Sequence, residues 1–139
     1  MKKIVLNIET DYDYDLIGFC SHYNDYRVCW AINENLQLNF TKSEEAFVVS
    51  NKKGEIISSH SFYQFMDEKN SLQFYLIQNK SNKHFLIPEL AQIDYFIVVK
   101  DAGIIDLNGF IKNLKNTNGI LTAISYDPSL IKSSKNLIF

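Results

Sequence analysis

The chain has 139 residues, enough for one domain with a real core, and its 46% hydrophobic and 14% aromatic content excludes global disorder. Its net charge is −2 and its lysines are scattered rather than striped, which excludes a nucleic-acid module that works by neutralising phosphates. No apolar run approaches the ~20 residues of a membrane span, and Ile4-Val5-Leu6 is too short for a signal peptide, so a cytoplasmic chain is expected.

In chain order, Lys3 to Ile8 alternates weakly and reads as a strand. Asp11-Tyr12-Asp13-Tyr14-Asp15 begins like a calcium loop, but the positions that need glycine and glutamate hold Leu16 and His22. These carboxylates are instead expected at the positive end of a helix. That helix is expected from Leu16 to about Leu36, because Leu16, Phe19, Cys20, Tyr23, Tyr26, Arg27, Trp30 and Ala31 recur on one broad face, with Gly18 weakening its start and allowing a later boundary. Cys20 and Cys29 would then sit on one helix, too far apart to bridge, as reduced and buried thiols.

From Ala46 the period becomes two. Strands Ala46–Ser50 and Glu55–Ser59 flank the turn Asn51-Lys52-Lys53-Gly54. His60–Asp67, Leu72–Gln78 and Phe85-Leu86-Ile87 follow as strands, the last ended by Pro88. Ile93–Lys100 carries the strongest strand signal. Asp106 is placed to cap a helix whose Leu107, Phe110, Ile111 and Leu114 share a face, with Asn118-Gly119 as its stop. Ile120–Tyr126 is the last strand, and Leu137-Ile138-Phe139 is apolar enough to dock. The order β-α-β-β-β-β-α-β predicts one α+β domain over residues 1–139. Its sheet is largely antiparallel, with both helices packed on one face.

The run Ile87-Pro88-Glu89-Leu90-Ala91-Gln92-Ile93-Asp94-Tyr95 resembles the signature of the IPExxxVDY family, small bacterial proteins named for that motif, with Ile93 in place of valine. Asp25-Tyr26-Arg27-Val28-Cys29-Trp30 and Gly119-Ile120-Leu121-Thr122-Ala123 are similar to segments of the same family, so the resemblance spans nearly the whole chain. It implies no activity, cofactor or catalytic residue.

The chemistry legible in the residues is sparse. His22, His60 and His84 lack partners at metal-ligand spacing, and the nucleophile and phosphate-loop motifs are absent, so no metal, cofactor or catalytic residue is expected. The sequon Asn79-Lys80-Ser81 carries no weight in an Asn-rich chain. Phe62, Tyr63, Phe65, Phe74 and Tyr75 have the composition of a base-stacking platform but lack the basic charge to go with it.

Arg27 stands out as the sole arginine, set in an apolar helix face with Trp30. The expectation is a buried anchor whose planar fork pairs with Glu89 or Asp94 beside Tyr95, with Asp13 and Asp15 as second choices. Two functions follow. One is a non-enzymatic binding or adaptor module for a protein partner or a second copy of itself. The other is a small-ligand protein or enzyme using Arg27 with Glu89 or Asp94 in a cleft.

Overall fold

The computed structural model describes residues 14–100 and 106–137. In chain order it contains β1 (Tyr14–Ser21), α1 (Asp25–Leu36), β2 (Thr41–Lys42), β3 (Phe47–Ser50), β4 (Ile56–His60), β5 (Phe62–Asp67) and β6 (Leu72–Gln78). Then come β7 (Lys80–Ser81), β8 (His84–Phe85), β9 (Tyr95–Lys100), α2 (Leu107–Lys115) and β10 (Ile120–Tyr126). Short 3-10 turns occupy Pro88–Leu90, Pro128–Leu130 and Lys132–Asn136. The fold is α+β, and its six-stranded sheet has the order β10-β1-β9-β6-β5-β2 with every pairing antiparallel.

Both faces of this sheet are covered. Ile17, Phe19, Phe74, Leu76, Tyr95, Ile97 and Val99 point to one side, where Val28, Cys29 and Ile32 of α1 and Leu114 of α2 close over them. Leu16, Ile77, Phe96 and Val98 point to the other, beneath Phe47 of the β3–β4 hairpin, Leu86, Ile87, Ile93 and Leu137. Each such side chain, fully withdrawn from water, contributes about 1.5–3 kcal/mol, which makes β1 and β9 the energetic centre. Gly18 of β1 allows this packing. A Cβ there would lie 2.8 Å from Tyr126 Cε2 and 3.0 Å from Ile93 Cγ2.

The expected helix over Leu16–Leu36 is corrected. Its first part is β1, and the helix starts only at Asp25, where the Asn24 side chain caps the Arg27 amide at 3.1 Å. A strand buried on both faces shows no alternation, and its apolar residues happened to fit helical spacing. Cys20 and Cys29 therefore lie on different elements, both as free thiols. Asp15 belongs to β1 rather than to a helix start.

The Phe85–Ile87 strand shrinks to His84–Phe85. The second helix forms as expected, with Asp106 Oδ1 accepting from the Gly109 amide at 3.1 Å, but it ends at Lys115. Asn118-Gly119 instead makes the turn into β10, with Gly119 at φ 92°. Leu137 docks in the second core. The expected strand Lys3–Ile8, together with Asp11, Asp13, Ile138 and Phe139, lies outside the described residues. Among the described residues no helix is long and apolar enough to cross a membrane.

Candidate functional site

The run from Ile87 to Tyr95 links β8 to β9 and must turn with little regular structure, so its amides and carbonyls need partners. Pro88 starts a single 3-10 turn, where its missing donor costs nothing. Several of the remaining groups converge on Asn79, which is 0% exposed. Its Oδ1 accepts from the Ile87 amide at 2.9 Å, and its Nδ2 donates to the carbonyls of Leu90 at 3.0 Å and Ile93 at 2.8 Å. Its backbone bonds Asp94 and Leu86 as well. Asn79 is the polar hub of the connector. As an asparagine between a strand and a turn it gave no signal beyond ordinary turn chemistry.

The two carboxylates of the motif serve different neighbours. Glu89 accepts from the Ser133 amide at 2.8 Å and the Ser133 hydroxyl at 2.6 Å, tying the connector to the C-terminal 3-10 turn. Burial pushes its carboxyl upward, but the Ser133 bonds, its own backbone amide and Lys132 outweigh that and hold it below the usual carboxylate range. Asp94 Oδ2 accepts from the Ser21 amide at 2.9 Å, at the irregularity where β1 slips against β10. Tyr95 stacks on Phe19 at 5.2 Å, and its hydroxyl donates to the Tyr23 carbonyl at 2.6 Å. Burial, followed by the charges of Asp25 and Asp94, raises its pKa.

Arg27 is not the buried anchor expected. It is exposed, and its guanidinium lies over the Tyr23 ring, 4.1 Å from the centroid. The cause is helix phase. Starting α1 at Asp25 turns Val28, Cys29, Ala31 and Ile32 inward, which leaves Tyr26 68% exposed and Trp30 65% exposed. Arg27 and Trp30 thus form an outer aromatic and cationic face on α1. Glu89, Asp94 and Tyr95 hold the connector in place. Asp94 and Tyr95 do line a cleft of about 410 Å³, but Ser21, His22, Gln78 and Lys80 complete it rather than Arg27.

Other groups with chemical potential resolve into structure. Ser58 Oγ lies 2.8 Å from His60 Nε2, a nucleophile–base distance, yet both residues are buried and, among the described residues, His60 Nδ1 has no hydrogen-bond partner to orient the ring. The pair packs β4 beneath the sheet. Burial above all, and then the charge of His84, lowers the His60 pKa, with the Gln78 backbone opposing. Tyr63, Phe65 and Phe74 belong to the helix-side core, whereas Phe62 and Tyr75 belong to the opposite one, so they make no common platform. No cluster of three metal-ligating side chains occurs among the described residues. Compared with known proteins, the chain matches no family model, no curated protein and no solved structure.

Proposed function

We propose that this chain is a cytoplasmic, non-catalytic protein-binding module of the IPExxxVDY family, acting through the outer face of α1. The observation that carries the reading is the exposure of Tyr26 and Trp30, 68% and 65%, one turn apart with Arg27 between them. Tyrosine, tryptophan and arginine are the residue types that carry most binding energy at protein interfaces. Holding Arg27 over the Tyr23 ring lowers the entropy lost when a partner engages it.

The alternative, a ligand site built from Arg27 with Glu89 or Asp94, is weakened by the engagement of both carboxylates with backbone amides elsewhere. The test is affinity capture from the native cell with the wild-type chain and with a Tyr26→Ala/Trp30→Ala variant. Proteins held by the wild type should be lost from the variant, with the thermal melt unchanged. Equal recovery by both, or substrate turnover abolished by Glu89→Gln or Asp94→Asn in a folded chain, would overturn the reading.

A further inference from the structure

The outer face of α1 has a charge arrangement that singles out one partner. At 100° per residue, Tyr26, Arg27, Trp30, Glu34 and Gln37 fall within roughly a third of the helix circumference, and all five are exposed. Arg27 and Glu34 share almost one line along the axis but lie about 10 Å apart, too far to pair with each other. Their midpoint falls between Trp30 and Ala31. Opposite charges set symmetrically about an exposed aromatic complement the same surface turned end for end.

We infer that α1 is the contact surface for a second copy of this chain, in an antiparallel helix pair with a two-fold axis passing between Trp30 and Ala31. This rests on reading the outer face of α1 as a binding surface. In that arrangement Arg27 of each copy meets Glu34 of the other, giving two identical ion pairs, as an isologous interface requires. The two Trp30 side chains, each 65% exposed, meet on one side of the contact. Tyr26 extends the aromatic side outward. The whole-chain charge of −2 leaves little long-range repulsion between copies. A single 12-residue helix, about 18 Å long, buries less than a standard interface, so association is of modest affinity.

The pattern supplies its own test. Sedimentation of the full chain over micromolar to submillimolar concentrations should show a reversible monomer–dimer equilibrium. Arg27→Glu alone places two carboxylates opposite each other at both ends, and Glu34→Arg alone does the same with two cations. Each should weaken self-association by about tenfold or more. A mixture of these two variants should form a one-to-one heterodimer, and Arg27→Glu/Glu34→Arg in one chain should restore the homodimer. Circular dichroism melts matching the wild type establish that each variant is folded.

A wild type that stays monomeric throughout overturns the inference, and so does a dimer indifferent to both reversals. The broader reading fails separately. If the wild type is monomeric yet loses a captured cellular protein on Tyr26→Ala/Trp30→Ala, the second copy is wrong and the binding face stands.

Discussion

Asn79→Ala should be among the most damaging single substitutions in this protein, though it touches neither helix. The side chain is 0% exposed and makes three hydrogen bonds, to the Ile87 amide and to the Leu90 and Ile93 carbonyls. Truncation orphans the Ile87 amide and the Ile93 carbonyl in a site closed by Ile87 and Ile93, both buried, while the Leu90 carbonyl keeps the Ile93 amide at 3.0 Å. An orphaned buried polar group costs about 1–3 kcal/mol, so the two together cost roughly 2–5 kcal/mol even with some relaxation. Against a typical domain stability of about 5–15 kcal/mol this is a large share, and it corresponds to a fall in Tm of about 6–15 °C.

Urea unfolding at neutral pH, with the slope compared to confirm a similar unfolded state, measures the loss directly. Asn79→Asp adds a signature that cavity formation lacks. It keeps an acceptor for Ile87 but turns an oxygen toward the carbonyls of Leu90 and Ile93. Its carboxyl is therefore raised in the folded state, and that variant regains stability as pH falls and a donor returns. A loss below about 1 kcal/mol for Asn79→Ala, well under the cost of two orphaned groups, would refute the reasoning.

Two further outcomes can be checked on the same instrument. His60 is buried and its pKa is lowered from 6.5 in the folded state, so below pH 6.5 the unfolded chain takes up a proton that the folded chain refuses. Stability should therefore decline as pH falls below 6.5, with a slope of up to about 1.4 kcal/mol per pH unit, and His60→Gln should flatten it. Gly18→Ala should cost about 1–3 kcal/mol by overpacking, since its Cβ would lie 2.8 Å from Tyr126 Cε2 and 3.2 Å from Phe96 Cε1. Adding Tyr126→Leu should recover part of that loss, and no recovery would mean that the ring is not the obstruction.

The β-rich half of the fold was legible because its signals are local. Leu72–Gln78 and Ile120–Tyr126 were bounded by turn residues and read to the residue, and the Asn51–Gly54 hairpin was marked by its own turn chemistry. β1 was not legible, because burial on both faces erases the alternation that separates strand from helix. That one error moved the start of α1 from Asp25 to Leu16 and turned its outer residues inward, so Arg27 and Trp30 were read as buried. In the motif, Glu89, Asp94 and Tyr95 stood out in the sequence, but their partners did not. Ser133, Ser21 and Tyr23 are brought to them by pairings far apart in the chain, which no short window of sequence contains.

The position of β1 governs how the molecule can be made. It lies between β9 and β10, so Leu16 waits beside Val98 and Tyr126, contacts closed only by residues near the opposite end of the chain. During synthesis the β5–β6 ribbon can form early, whereas β1, the first of the described strands to emerge, docks last. Until β10 leaves the ribosome, Leu16, Ile17 and Phe19 have no complete slot. Loop closure over such distances comes before any reward from packing, which places refolding with the slow, sheet-dominated domains in the millisecond-to-second range. A stopped-flow phase completed in microseconds would contradict this. For the cell, the interval is one of exposure, in which a nascent chain presents an unpaired apolar strand to chaperones or to its neighbours.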